Sequence, residues 1–354
     1  MNYFCVYFKT ESKKHKHSFQ IMAQNKMKSG EFGWIEQIQK QFASLVPTGM
    51  EGIGDDCAVI PISGGESLVV TTDMLVEDVH FVLDKIPPVD LGYKSLAVNL
   101  SDVAAMGATP IGSFLSIGLP GHLDGDWRDA FLSGYRMLSK KFNVPLLGGD
   151  TTASERLVIN VTAIGKVPNA NIKRRSAAKP GDLICVVGNL GNSVAGLKLL
   201  LNKTDYTVAE NSLIYAHYHP EPFVKEGAWL GAQEGVHAMM DVSDGIASDL
   251  VHILEASRVS AHVELTQLPI SNALENVCEA NSWNALELAA SGGEDYTLLL
   301  TVGVQEIADV NREFYALFGR ELEIIGQIEN GTPQIEWLHH CEAVDVDWKG
   351  FSHF

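Results

Sequence analysis

The chain has 354 residues, 46% of them hydrophobic, with 32 glycines and a formal net charge of −18. That length and apolar content fit two globular domains and exclude a disordered polymer. The acidic balance disfavours unassisted binding to nucleic acid or an anionic membrane, so a bound triphosphate would need metal to neutralise its site.

Residues 1–30 stand apart, with Lys9, Lys13, Lys14, Lys16, Lys26 and Lys28 against the single acid Glu11. They lack the apolar core of a signal peptide and read as a disordered leader, a misplaced start or a basic arm. Apolar spacing at Phe32, Ile35, Ile38, Phe42 and Leu45 predicts a helix over 31–48. A glycine-rich segment follows, then a short buried strand over 67–71. A helix is expected over 89–106, with Gly107 as its stop. A strand (111–119), a helix (124–142) and strands at 144–147 and 157–165 complete the first half. Lys173-Arg174-Arg175 through Asp182 read as a linker and turn, which divides the chain into domains at 31–168 and 169–354.

The second half restarts with a strand over 183–187, a glycine-rich turn and a helix over 193–201. A strand over 236–240 leads to a helix with Ile246, Leu250, Ile253 and Leu254 on one face, for which Ser243 or Asp244 is the expected N-cap. Strands at 261–265, 297–302 and 323–327 follow. The mixture predicts an α/β or α+β class. No apolar run reaches membrane-spanning length. The cysteines (Cys5, Cys57, Cys185, Cys278 and Cys341) are scattered, with no C-x-x-C pair. A reducing cytoplasm fits them better than a disulfide framework or a zinc site.

Acidic motifs recur where predicted elements end. They are Gly-Ile-Gly-Asp55-Asp56-Cys57, Thr71-Thr72-Asp73, Asn99-Leu-Ser-Asp102, Gly148-Gly149-Asp150 and Asp241-Val-Ser243-Asp244-Gly245. Each alone also reads as a turn, a cap or a solvated face. Together they offer hard oxygen ligands, the kind Mg²⁺ takes when it also holds substrate phosphates. Two aspartates at a helix start would repel phosphate unless a cation lay between. Arg175 suits phosphate geometry but also reads as a basic linker residue. His80, followed by Phe81, reads as structural or as a site group, and Glu294 as a site or loop acid. The aromatic C-terminal segment 347–354 is expected to dock on the second domain. There is no G-x-x-x-x-G-K-[ST] and no H-R-D with D-F-G, which excludes a P-loop enzyme and a protein kinase, and no G-x-G-x-x-G lies between strand and helix, so a dinucleotide fold has no support.

Taken jointly, the motifs resemble the thiamine-monophosphate kinase family from about Gly30 to the C-terminus. The match includes Thr-Thr-Asp-Met-Leu-Val-Glu-Asp-Val-His-Phe, Ala-Val-Asn-Leu-Ser-Asp-Val-Ala-Ala-Met-Gly, Gly-Gly-Asp-Thr-Thr, Asp-Val-Ser-Asp-Gly, Ser-Gly-Gly-Glu-Asp-Tyr and Asp-Trp-Lys-Gly-Phe-Ser-His-Phe. Looser forms occur in a superfamily with aminoimidazole-ribonucleotide synthetase and selenophosphate synthetase. The resemblance implies ATP-dependent phosphorylation of thiamine monophosphate to thiamine diphosphate in the cytoplasm, with several Mg²⁺ ions. It also implies a two-domain fold and a homodimer joined through the N-terminal, ATP- and metal-binding domains, with no nucleic-acid or membrane partner. Asp56, Thr71, Thr72, Asp73, Asp102, Asp150, Asp241 and Asp244 match metal positions, with Asp73, Asp102 and Asp244 at the chemistry. Gly149, Asp150, Arg175 and Ser243 match ATP contacts, and His80, Glu294 and Phe351 match substrate contacts. Phe142 and Phe351 stand where the family often has Tyr, so stacking on adenine could survive at Phe142 but a hydroxyl contact could not.

A phosphate monoester acceptor is already largely anionic near neutral pH, so no general base is required. The expected reaction is direct in-line transfer with no phosphoenzyme. Selenophosphate synthetase is the nearest rival, but Cys57 follows the aspartate pair instead of lying in an upstream Lys-containing segment. A non-catalytic Mg²⁺ or nucleotide sensor is the rival from another class.

Overall fold

The computed structural model describes residues 30–202, 204–348 and 350; residues 1–29 of the leader and Phe351 lie outside the described residues. Helix α1 (Glu31–Phe42) precedes β1 (Ala58–Ile62) and β2 (Glu66–Val76), and then α2 (Pro88–Ala105). β3 (Thr109–Leu119), α3 (Gly125–Phe142), β4 (Leu146–Ala153) and β5 (Val158–Pro168) follow. The strands form one sheet in the order β1-β2-β5-β3-β4, antiparallel except for the parallel β3/β4 pair. Burial alternates along β2 and β5, so one face of this sheet packs on α2.

The second half holds β6 (Leu183–Val187), α4 (Asn192–Asn202), α5 (Val208–Tyr218), α6 (Val224–Gly231) and β7 (Val236–Asp241). Next come α7 (Ile246–Ser257), β8 (Ser260–Glu264), α8 (Asn272–Asn281), α9 (Ala285–Ser291) and β9 (Leu298–Val302). α10 (Ile307–Phe318), β10 (Glu323–Glu329), β11 (Ile335–His339) and β12 (Glu342–Ala343) close the chain. Its sheet runs β12-β11-β8-β10-β6-β9-β7, antiparallel except for β8/β11. The expected two-domain α/β class is therefore the observed one.

Helix α2 is the shared spine. It buries 14 of its 18 residues, which a helix does only when it is covered nearly all round. It packs on β2, β3, β5 and α3 of its own half and on α5, α6 and β7 of the other. The basic run after β5 is not a solvated linker. Lys173 Nζ donates to the carbonyls of Gln233 and Val236 (2.8 and 2.7 Å), and Arg174 forms a two-pronged pair with Glu51 (2.7 Å each). Val344, Val346 and Trp348 pack on the second-half core, and the Trp348 ring lies 6.0 Å from that of Trp337, so this part of the tail is docked.

The N-cap expected of Ser243 or Asp244 is corrected. The cap of α7 is Gly245, with no side-chain cap bond. Asp249, inside the first turn of α7, instead accepts the N–H groups of Asp244 and Gly245 (3.0 Å each).

α2 and α3 meet backbone to backbone. A Cβ on Gly92 would lie 1.9 Å from the Phe131 carbonyl oxygen, and one on Gly134 would lie 1.7 Å from that of Val89. Helix propensity favours Gly→Ala by about 1 kcal/mol, but forcing the helices apart costs about 1–3 kcal/mol or more. Gly92→Ala and Gly134→Ala are therefore expected to lower the urea midpoint. Gly125→Ala, at a position with open space around it, should leave the midpoint unchanged or raise it. Equal midpoints for the three variants would contradict this packing.

Candidate active site

Strand alternation puts Thr71 and Asp73 on the face of β2 that meets α2. Thr71 Oγ1 donates to Asp102 Oδ2, and the Asp73 N–H donates to Asn99 Oδ1 (3.1 Å). From the same helix Ser101 Oγ donates to Asp241 Oδ2 (2.5 Å), at the end of β7. Asp56, from the glycine-rich segment, completes the group: oxygens of Asp56, Asp102 and Asp241 all lie within 4.8 Å of one another. Acids distant in sequence and from both halves thus converge. Asp73, Asp102, Asp241 and Asp244 also line one cavity of about 560 Å³ with Ser243, His80, Glu294 and Tyr296.

Crowded carboxylates in a buried place hold their protons tightly. Burial, then the nearby Asp56, pushes Asp73 up to about 6. Burial and the same neighbour push Asp241 up to about 8, while Asp102 is raised well above the carboxylate range by burial, Asp73 and Asp241. Arg175 reaches the cluster, with Nη2 2.5 Å from Asp56 Oδ1 and its backbone N–H donating to Asp55 (2.7 Å). Burial alone would weaken the guanidinium's hold on its proton, but Asp56 and Asp55 raise it above the ordinary arginine range. Two buried polar atoms in the group have no hydrogen-bond partner among the described residues, Asp56 Oδ2 and Arg175 Nε. An orphaned carboxylate oxygen beside two other acids is the donor set a hard divalent cation fits.

Two loops wall the cavity and are zipped together. Glu294 N–H donates to the Ser243 carbonyl (2.7 Å) and Tyr296 N–H to that of Val242 (2.8 Å). Glu294 and Tyr296 both sit at positive φ (65° and 51°), a conformation L-residues hold only when their surroundings impose it. Asp295 between them accepts the N–H groups of Gly191 and Ser193 (2.6 and 3.0 Å), tying this loop to the start of α4. His80 Nδ1 accepts from the Val76 N–H (3.0 Å), so the neutral ring carries its proton on Nε2.

Other predicted positions lie apart. Thr72 points to the opposite face of β2 and donates to the Val161 carbonyl (3.2 Å). Gly149 and Asp150 are exposed on β4 and line a different cavity, with Trp127, Arg128 and Leu146. Gly149 is at φ 150°, and a Cβ there would lie 1.7 Å from the Leu115 carbonyl oxygen, so the glycine is required by the approach of β4 to β3. Phe142 ends α3, packs on the first-half core and lies under Lys141 Nζ (5.1 Å). Residues that sequence reading passed over are Asp249, Ser101, Asp295, Lys94 and His217. A lone Lys94 in a nearly apolar helix, and Asp249 one turn after Asp-Gly, were the available signals.

Residues 54–167 match the family described as AIR synthase related protein, N-terminal domain, and residues 179–337 match its C-terminal domain. The thiamine-monophosphate kinase of Escherichia coli (strain K12) is 38% identical over 334 residues, which cover 93% of this chain and 99% of that one. The Haemophilus influenzae protein of the same name is 41% identical with the same coverage. A solved structure described as AaThiL complexed with AMPPCP and TMP superposes with a TM-score of 0.80 at 34% identity, covering 92% of this chain and 97% of that one. Thiamine-monophosphate kinase from Stenotrophomonas maltophilia K279a superposes with a TM-score of 0.72 at 36% identity, covering 89% and 98%. Likeness over nearly the full length, in both sequence and fold, places this chain in the thiamine-monophosphate kinase family of AIR synthase related proteins.

Proposed function

We propose that the protein transfers the γ-phosphoryl group of ATP to thiamine monophosphate, giving thiamine diphosphate, by direct in-line displacement. The convergence of Asp56, Asp102 and Asp241 from both halves is the observation that carries this reading. Asp56, Asp73, Asp102, Asp241 and Asp244, with the Thr71 hydroxyl, would hold several Mg²⁺ ions. When bound, Mg²⁺ supplies the positive charge that lets two anionic phosphates approach.

The chain's own groups do the rest. Arg175 borders the carboxylates with a guanidinium suited to ATP phosphate, and Ser243 lines the same cavity. His80 and Glu294 line the wall for the organic part of the acceptor. The acceptor is a phosphate monoester with a second pKa of about 6, so its attacking oxygen is already anionic and needs no base. That oxygen bonds to the γ-phosphorus as the bond to the β-phosphate oxygen of ATP breaks. In this reading residues 31–168 form the ATP- and metal-binding domain, residues 169–354 form the second domain, and the enzyme works in the cytoplasm, where ATP is supplied. Among the described residues no helix is long and apolar enough to cross a membrane.

A homodimer through the N-terminal domains is part of the same proposal. β4 is the last strand of its sheet, every residue in it is exposed, and Leu146 and Leu147 present apolar side chains. Such an edge invites pairing with another chain. Gly149 and Asp150 lie on it, so their contacts with nucleotide would be made at the interface. Phe142 ends the helix that runs into it and is retained as the adenine-stacking residue.

Asp73→Asn and Asp244→Asn each remove one anionic ligand at nearly constant volume. Turnover should fall about 100-fold or more while thermal unfolding stays cooperative, and no phosphoprotein should accumulate in single-turnover experiments with labelled ATP. Near-normal turnover of both variants at limiting Mg²⁺, or a competent phosphoenzyme, would defeat this mechanism.

The raised carboxylates also set a pH dependence. The folded protein keeps protons on Asp73 and Asp241 up to about 6 and about 8, whereas the unfolded chain releases them near the ordinary carboxylate value. Their contribution to stability is therefore present at low pH and is lost as pH rises through that window. Mg²⁺ competes with those protons, so the rise in Tm it produces should grow between pH about 6 and about 8. A Mg²⁺ shift independent of pH would count against the assignment.

The dimer is tested by sedimentation. The wild type should run as a dimer, and Leu147→Asp, which places a charge on the β4 edge, should shift it to monomer. A monomeric wild type at micromolar concentration would refute the proposed interface.

A further inference from the structure

Lys94 is a lysine in the middle of the most buried helix of the protein, and its side chain is 1% exposed. An ammonium is seldom placed there without a purpose, because burying an unpaired charge is costly. Its Nζ lies 3.0 Å from Glu294 Oε1 and makes no hydrogen bond to any other described group. Glu294 is the more accessible partner, 25% exposed and facing the cavity that holds the acidic cluster. The pair is thus a cation behind the wall and a carboxylate on its surface.

Among the described residues no second cation of comparable strength lies beside Glu294. His217, from α5, has Nδ1 3.5 Å from Glu294 Oε2 and 3.0 Å from Ser193 Oγ. Burial, then Lys94, pushes this imidazole down to about 3, so it is neutral and acts as a hydrogen-bonding group. The other titratable neighbours are His80, Tyr296 and Asp295. Burial raises the Glu294 carboxyl, but the Lys94 ammonium 3.0 Å away outweighs it and leaves the group below its usual range, hence ionised.

We propose that Lys94 is a positioning residue, holding the Glu294 carboxylate in one orientation on the cavity wall to receive the cationic ring portion of the acceptor. This rests on the reading of the cavity as the thiamine-phosphate site. One helix then sets both ends of that site: Lys94 and Asp102 are eight residues apart on α2, a rise of about 12 Å. That separation gives an extended acceptor room to place its ring at Glu294 and its phosphate at the aspartates. The strained loop conformation of Glu294 adds to the need for an anchor, since the backbone bond to Ser243 fixes only the main chain.

The test measures steady-state kinetics of the full-length wild type, Lys94→Met, Glu294→Gln and the double variant K94M/E294Q, with ATP and thiamine monophosphate. Both single variants should raise KM for thiamine monophosphate about tenfold or more, leaving KM for ATP and kcat within about threefold. If Lys94 acts through Glu294, the double variant is no worse than the worse single one. Removing one partner of a buried pair strongly destabilises the fold, and the double variant leaves no unpaired charge. Where K94M does not fold, E294Q and K94M/E294Q with equal KM support the role. A further rise of more than about threefold in the double variant over E294Q overturns it, as does a folded K94M whose KM stays within about twofold of wild type. An inactive wild type would overturn the substrate reading itself, whereas these outcomes overturn only the role of Lys94.

Discussion

Mutual repulsion among buried carboxylates is the constraint around which this protein is arranged. Asp56, Asp102 and Asp241 arrive from a loop, a helix and a strand, and neither half of the chain could assemble them alone. Their raised affinity for protons measures what that convergence costs without a compensating cation. The nearby structure is largely a set of devices that hold the acids in place. Thr71 steadies Asp102, Ser101 steadies Asp241 and Arg175 steadies Asp56. Helix α2 supplies Asn99, Ser101 and Asp102 to this work and is immobilised by packing against both sheets.

The loops of the second half follow the same logic one step removed. Residues 241–245 carry Asp241 and Asp244, and a loop with two acids three positions apart is not self-stabilising. Asp249 takes two of its backbone N–H groups, and Glu294 and Tyr296 bond to its carbonyls. Asp295 fastens the second loop to α4. Asp249 and Asp295 are themselves buried acids with raised proton affinity, Asp249 well above the usual range and Asp295 up to about 7. Burial is the main cause for both, partly offset by the backbone donors they accept. Positive φ at Glu294 and Tyr296 is the local strain expected where a wall must present particular side chains.

How much of this was legible in the sequence depended on range. Strands with alternating or continuous apolar residues and the long helices α2 and α3 were readable because their patterns are local. So was the acidic set as a group, because carboxylates recurred in short motifs beside glycines and hydroxyls, although Asp73 and Asp150 lie inside β2 and β4 and not at the element ends expected of them. Several helices were passed over although their starts were written in the chain. Thr207 and Glu210 form a reciprocal capping box for α5, and Ser271 and Asn284 cap α8 and α9. Their apolar faces are short and broken, so periodicity was silent where capping chemistry was not. The Thr71-Thr72 pair shows a different limit. Adjacent residues on a strand face opposite ways, so only Thr71 meets Asp102. Lys94 and Glu294 are 200 positions apart, and no local rule pairs them.

The basic run 173–175 shows how the two halves and the charge are linked. Each of its three side chains makes a different contact: Lys173 with carbonyls at the end of α6 and in β7, Arg174 with Glu51, and Arg175 with Asp56. The last two partners flank the glycine-rich segment that delivers Asp56. The connection between domains therefore fixes the same loop that brings an acid into the cluster. A guanidinium that pairs with a carboxylate here is equally suited to a phosphate. In the proposed reaction Asp56 would help to hold the metal, and the Arg175 guanidinium, with Nη2 on Asp56 and Nε without a partner among the described residues, would offer its remaining donors to the phosphate. An arginine in this position serves better than a lysine, because its fork can keep one prong on Asp56 while offering another to the ligand.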